Sequence, residues 1–383
     1  MRDSRVVGRI IHCADYGGSY SGSFVPMLAA AATAARDRRY DTTICFSEVA
    51  RGQSWLADLS ELAEIRFIKS SGIWADMRQL ERILDETNRR PTVLHTHFGT
   101  FDVPAALVRL RRRRTAVLWH LHSGRNRRIR LRTKAYGAVF GRIVDAMVCV
   151  SREMYEAVPA LGFPLGKLRL LSNAIDLERF EPVTPDERAT ARRQMGLSPD
   201  ARVVLHFAWD WTIKGGDRLL ATADLMTAEP GLAFLTVVSE DPGDAPWDLL
   251  ERHPTVQPLA PRGNVNELYA AADVLLNCSR AEGGIPYAVL EALARGLPVV
   301  ATSPPVQRDV LDGLLGGRVV PPEPAAISTA LREVLAFTPA ERADHAIAAR
   351  ARVAASFSLD PWAHRLVDLY DEALTGTLPT WNH

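Results

Sequence analysis

Residues Ser279–Ala301, SRAEGGIPYAVLEALARGLPVVA, decide the reading of this 383-residue chain. Pro286 suits the first position of a helix, because its φ is already helical and its missing N–H is not needed there. Gly296 suits the left-handed residue that stops a helix, and LPVVA reads as a buried strand. Within the helix, Glu291 sits in the apolar run YAVLEAL, where a carboxylate is costly unless something satisfies it. Ahead of the helix, Glu282-Gly283-Gly284 offers open backbone N–H groups beside a positive helix terminus, with Ile285 leading into the first turn. That combination suits an anionic group such as a diphosphate. The local chemistry is a pocket for a polyhydroxylated, phosphorylated ligand. The plainer alternative is a loop glutamate followed by a solvated helical one.

Outward from this stretch the chain alternates short apolar runs with helical ones. RVVGRIIHCAD, TTICFSE, IRFIKS, PTVLHTHF, AVLWHLHS and DAMVCVS read as strands, with FVPMLAAAATAARD and DVPAALVRLRRRR as helices between some of them. After LRLLSNAIDLERFEP the alternation restarts with ARVVLHFAW, AFLTVVSE, VQPLA, DVLLNCS, LPVVAT and GRVV. Such alternation predicts parallel sheets covered by helices, and the length suits two domains. Glu181–Asp200, with its prolines and mixed charge, reads as the linker region. SLDPWAHRLVDLYDEALTG predicts an amphipathic C-terminal helix with Trp362, Leu366, Leu369 and Leu374 available for burial.

Glu282, Glu291 and the helix end resemble the donor-binding motif of family 4 retaining glycosyltransferases: E, seven residues, E, then A-x-G-x-P-V-V-A. Here eight residues separate the acids, one glycine more than the family pattern. The resemblance extends through Val150, Ser151, Asn173, Asp176 and Phe180, and so over nearly the whole chain. It implies an α/β protein of the GT-B type, two doubly wound Rossmann-like domains facing a central cleft. Residues 1–180 would form the acceptor-side domain and 181–357 the nucleotide-sugar domain, with the helix at 358–383 packing back onto the first. By the same resemblance Glu282 contacts the transferred sugar and Glu291 holds the ribose hydroxyls.

In TIKGGDRLL, a lysine beside glycine-opened backbone and a helix start is a candidate diphosphate clamp, or else an exposed turn lysine. It resembles the family's K-G element, whose lysine touches the donor phosphates; this is Lys214. Where the family carries an arginine five residues earlier, this chain has Trp209, so the clamp has one cation fewer. Near the N-terminus, Gly17, Gly18 and Gly22 follow the first strand and allow close backbone approach, as in dinucleotide-fold turns or in a plain turn. The resemblance puts Gly17 and Gly18 near the donor phosphates.

His95 and His97 end one strand, and His120 and His122 end the next, each pair on one strand face. Three readings stand: a metal site, local hydrogen bonding, or contact with sugar or acceptor. No Asp, Glu or Cys accompanies them at ligand spacing, and the family works without bound metal, so no metal is expected. The resemblance is best at His122 as a residue touching the reacting sugar, with His97 on the acceptor side.

Apolar residues make up 47% and charged residues 24%, values of a globular protein rather than a disordered one. No run approaches a membrane span, and the first residues lack a signal-peptide pattern. Cys13, Cys45, Cys149 and Cys278 have no metal spacing and read as buried free thiols of a reducing compartment, so a cytoplasmic location is expected. The net charge of +1 hides an asymmetry: residues 1–180 carry +11 and the remainder −10. Arg109–Arg114 and Arg125–Arg132 dominate the basic half. The first run suits a helix C-terminus. The second, with Arg127 and Arg128, suits an anionic acceptor or peripheral contact with the inner membrane face. Nucleic acid is not an expected partner, since the runs lack interleaved aromatics.

The resemblance implies a retaining, metal-independent hexosyltransferase. Its expected partners are a nucleoside-diphosphate-sugar, as substrate rather than cofactor, and a separate acceptor. The alternatives are a non-catalytic sugar-nucleotide-binding protein, or a sugar-nucleotide epimerase of similar architecture.

Overall fold

The computed structural model describes residues 7–18, 21–86, 90–122, 129–239, 245–302 and 305–376. The chain divides into two units, Met1–Asn173 with Leu359–His383, and Ala174–Ser358. Among the described residues no helix is long and apolar enough to cross a membrane.

The strands of the first unit are β1 (Gly8–Ala14), β2 (Tyr40–Ser47), β3 (Glu64–Ile68), β4 (Thr92–His97), β5 (Thr115–Leu121), β6 (Ala146–Cys149) and β7 (Leu168–Leu170). They form one parallel sheet in the order β3-β2-β1-β4-β5-β6-β7. The second unit has β8 (Arg202–Ala208), β9 (Leu232–Val238), β10 (Val256–Leu259), β11 (Val274–Asn277), β12 (Val299–Thr302) and β13 (Gly317–Val320). Their order is β10-β9-β8-β11-β12-β13, again parallel. In both sheets the order reverses beside the first strand of the unit, the place where doubly wound sheets bind ligands.

The apolar runs are continuous because both sheet faces of the second unit are covered. Val203, Leu205, Leu275, Val299 and Ala301 enter one buried cluster, while Val204, Val274, Leu276 and Val300 enter the other. The segment read as a linker is instead packed into this unit. Helix Pro185–Gln194 is held through Arg188 and Arg192, which pair with Asp273 at the start of β11. Its polar sequence hides this, because the anchors are arginines whose stems and charges are buried together.

In the first unit one face of the sheet is apolar, with Ile11, Cys13, Leu94, Val117 and Trp119 in its cluster. Alternation then sends His12, His95, His97 and His120 to the opposite face. These are buried, and β1–β4 register pairs His12 with His95 while β4–β5 register pairs His97 with His120. Helix Leu359–Thr375 covers them: the His95 Nδ1 lies 2.7 Å from the Tyr370 hydroxyl, and Trp362 stacks toward His120. At the outer end of the same helix, Arg38 binds Asp368 at 2.8 Å and Asp371 at 3.0 Å, and the Tyr40 hydroxyl donates to Asp371. Trp362, Leu366 and Leu369 are buried and Leu374 is half-buried. All four cysteines are buried free thiols.

Burial keeps these imidazoles neutral. His12 and His122 are pushed down to about 3, and His95, His97 and His120 well below their ordinary value, desolvation being the main cause. Between the folded values and the unfolded value of 6.5 only the unfolded chain takes up protons, so stability is full above that value and is lost as the pH falls. Each histidine contributes a slope of up to about 1.4 kcal/mol per pH unit. Asp102, raised by burial to about 6, opposes this below that pH because its folded form binds the extra proton. Five histidines outweigh one carboxyl. The urea midpoint of the first unit should therefore drop steadily as the pH is lowered from about 6.5 to about 4.5. A flat or rising midpoint would show that the imidazoles are hydrated and titrate normally. Separately, Tyr370→Phe removes the hydroxyl partner of His95 and should destabilise the protein at neutral pH by about 1–3 kcal/mol. Equal stability by denaturant titration would remove that hydrogen bond from the account.

Candidate active site

The candidate donor site of the second unit is built on one close backbone approach. Gly215 has φ +75°, and a Cβ on it would collide with the carbonyl of Cys278, just past β11. The Cys278 thiol meets the Gly215 carbonyl at 3.1 Å, and His206 of β8 holds the Lys214 carbonyl at 3.1 Å. A Cβ on Gly216 would strike the Trp211 ring, so neither glycine of KGG tolerates a side chain without movement. Asp210 caps the short helix Trp211–Lys214 by accepting from Ile213 N–H at 2.8 Å.

This docking brings Lys214 and Glu282 together from 68 residues apart. The Lys214 ammonium lies 2.8 and 3.0 Å from the two oxygens of Glu282, with both side chains largely buried. The Trp209 ring lies 5.0 Å from the same ammonium, a cation–π distance, and is itself 54% exposed. Arg218 donates to the Cys278 carbonyl at 3.0 Å, and Arg280 clamps both oxygens of Asp217 at 2.7 and 2.6 Å. Cations therefore flank the loop even though Trp209 supplies none.

Gly283 and Gly284 lie in the loop that enters helix Tyr287–Ala294. Pro286 is the residue before the helix, with ψ 136°, rather than its first helical residue; an extended ψ there turns the loop into the helix axis. Gly296 has φ +83° and ends the helix as expected. The Ile285 side chain belongs to the apolar core. Glu291 is 8% exposed and accepts a hydrogen bond of 2.7 Å from the Tyr269 hydroxyl. The need for a partner was legible in the sequence; Tyr269, on the helix before β11, was not.

In the first unit Gly17 and Gly18 follow β1, and their carbonyls accept from Gln53 at 3.3 Å and from Trp55 at 3.0 Å. Gly17 packs so tightly on Val49 that a Cβ would overlap it. His122 lies just past β5 and is half-buried; its Nε2 is 2.9 Å from His97 Nδ1. His97 is wholly buried, and its Nε2 is 3.1 Å from His12 Nδ1. Any effect of His97 on a ligand therefore passes through His122. His12 escaped the sequence reading, although alternation from the start of β1 puts it on the histidine face.

Among the described residues, two trios could hold a metal ion: His12, His95 and His97, and His97, His120 and His122, each with ring nitrogens within 4.8 Å of one another. Neither includes a carboxylate or thiolate, so a divalent ion would bring an uncompensated charge into the core. The first basic run is tied down locally. Arg109 binds Asp145 at 2.8 and 3.1 Å, and Arg111 and Arg112 pair with Glu81 and Asp85. Arg127 and Arg128 lie outside the described residues.

Comparison with known proteins follows the same division. Residues 27–179 match the model described as Glycosyltransferase Family 4, and residues 201–336 match that of Glycosyl transferases group 1. The chain is 30% identical over 252 residues to a D-inositol 3-phosphate glycosyltransferase of Thermobispora bispora, covering 62% of this chain and 57% of the relative. A protein of the same name from Mycolicibacterium gilvum is 33% identical over 226 residues, covering 55% and 46%. The chain thus spans about half the length of the curated relatives it matches. Among solved structures, Anabaena Alr3699/HepE in complex with UDP superposes with a TM-score of 0.79 at 17% identity, covering 95% of this chain and 100% of that one. A glycosyltransferase from Rickettsia africae gives 0.79 at 16% identity, covering 96% and 98%. Two parallel sheets and these superpositions give one conclusion, that the chain has the GT-B fold; its two halves are each similar to glycosyltransferase models, the first to Glycosyltransferase Family 4 and the second to Glycosyl transferases group 1.

Proposed function

We propose that the protein is a retaining glycosyltransferase that moves a sugar from a nucleoside-diphosphate-sugar to an acceptor hydroxyl. The observation that carries this reading is the Lys214–Glu282 ion pair, seated on a glycine-opened loop at the switch point of the second sheet. A diphosphate arriving there competes with Glu282 for the ammonium. As Lys214 turns to the phosphates, the Glu282 carboxylate is released to accept hydrogen bonds from sugar hydroxyls. Gly283 and Gly284 bring backbone N–H groups near the leaving group, and the following helix adds its positive end. Glu291, whose carboxylate accepts from Tyr269, would take the ribose diol.

Transfer breaks the bond between the anomeric carbon and the phosphate oxygen and forms one to the acceptor oxygen on the same face. The acceptor proton passes to the departing diphosphate. The site's task is to stabilise the charge that grows on that diphosphate and on the sugar ring. Lys214 serves the first and Glu282 positions the second; in the first unit, His122 is the residue offered to a substrate hydroxyl. Metal is not part of this scheme. The net +11 of residues 1–180, and relatives named for inositol 3-phosphate, favour a polyol phosphate as acceptor. One observation favours a non-catalytic sugar-nucleotide binder instead: Trp209 stands where a second phosphate-binding cation would be expected. Incubating the full chain with UDP-glucose and other nucleotide sugars, with and without inositol phosphate, separates the two. Product with retained anomeric configuration supports transfer. Binding without transfer or hydrolysis across the donor panel would favour the binder.

Lys214→Ala should weaken nucleoside diphosphate binding by about 1.5–3 kcal/mol, the range of a charged hydrogen bond, and leave free nucleoside binding nearly unchanged. Equal losses for both in calorimetry would place Lys214 in the fold rather than on phosphate. Glu291→Gln keeps an amide oxygen for Tyr269, so the melting temperature without donor should barely move. Donor affinity should nevertheless fall by about 1.5–3 kcal/mol. Unchanged affinity would remove Glu291 from the ribose site.

A further inference from the structure

The first unit carries a feature that the proposed reaction does not by itself require: a row of three imidazoles leading inward from His122. His122 Nε2 faces His97 Nδ1 at 2.9 Å, and His97 Nε2 faces His12 Nδ1 at 3.1 Å. Both separations are hydrogen-bond lengths. A neutral imidazole has one N–H and one bare nitrogen, so each contact needs a proton on one side only. His97 stands in the middle and must donate in one direction and accept from the other. If it carries its proton on Nδ1, His122 must be bare at Nε2 and protonated at Nδ1, and His12 must donate from Nδ1. If it carries the proton on Nε2, all three are Nε2–H instead. Mixed states break a hydrogen bond in the core. The three tautomers are therefore locked to one another.

The inner end of the row selects between the two states. His12 Nε2 is buried and has no hydrogen-bond partner among the described residues. In the all-Nε2–H state this atom would be an orphaned buried donor. In the all-Nδ1–H state it is an unused acceptor, the less rare of the two defects in folded proteins. Burial also holds the row neutral, so a shared extra proton does not blur the choice.

We propose that His12 and His97 are positioning residues that hold His122 as the Nδ1–H tautomer, so that it meets the substrate as a hydrogen-bond donor. The inference rests on the transferase reading for its consequence, since that reading gives His122 a part in handling substrate. The tautomer itself does not depend on that reading. A donor at this position suits a hydroxyl or a charged oxygen and rejects a group that can only donate.

The test uses the full chain labelled with ¹⁵N-histidine, without ligand, near pH 7.5. Two-bond proton–nitrogen correlations distinguish the tautomers, and single-histidine variants give the assignments. Nδ1–H patterns for His12, His97 and His122 together are expected. An Nε2–H or averaged pattern at any of the three overturns the proposal, whether or not the protein transfers sugar. Two variants then test the consequence. His12→Phe fills the space without a donor; His12→Asn returns an N–H to the place of Nδ1. The first should release His122 from its single tautomer and lower kcat on the order of tenfold or more, with little change in donor KM. The second should restore both tautomer and kcat. A released tautomer with kcat intact would overturn the positioning role, and so would a loss that His12→Asn shares in full while its tautomer pattern is normal. Absence of transfer in the wild type, with the expected tautomers present, would count against the function and not against the row.

Discussion

The approach of Gly215 to the Cys278 carbonyl is the constraint on which the candidate donor site depends. Two loops from neighbouring strands, β8 and β11, come within contact because a glycine in the left-handed region leaves room for a peptide where a Cβ would sit. The charge arrangement follows from that contact. Lys214 precedes the glycine and Glu282 lies four residues beyond the cysteine, so a cation and a carboxylate meet at the strand ends. Two largely buried charges would each be expensive alone; paired, each makes the other tolerable. In the proposed reaction the pair would also supply reactivity, since a phosphate that captures the lysine would leave the carboxylate to hydroxyl donors.

The first unit solves a different problem. Its central strands carry histidine on a buried face, where neutral imidazoles must find partners among themselves or on the covering helix. Tyr370 serves His95, and the row from His12 to His122 serves the rest in part. Among the described residues His120 has no partner for either ring nitrogen and stacks instead on His122 and His95, with ring centroids 4.1 and 5.3 Å away. The helix that covers this layer is contributed by residues more than 200 positions after β5. Integrity of the histidine layer thus depends on the end of the chain, and the Arg38 and Tyr40 contacts to Asp368 and Asp371 fasten it at the rim.

Much of the architecture was legible in the sequence because its signals are local. The alternation of apolar runs marks strands by their period, Gly296 marks a helix end by its allowed φ, and Glu291 announces a buried carboxylate by its apolar neighbours. Four histidines at period two revealed one face each of β4 and β5. By itself the sequence thus determined the parallel α/β layers, the switch-point loops and the residue types that line them. The tertiary structure alone decided which of those residues meet. Tyr269 reaches Glu291 across 22 positions, Lys214 reaches Glu282 across 68, and His12 reaches His97 across 85. It also made a packed helix of the apparent linker, through arginines that find Asp273 some 80 positions away. No periodicity records such pairings. They arise when strand order and register bring distant segments side by side, and burial then forces every polar group there to find a partner.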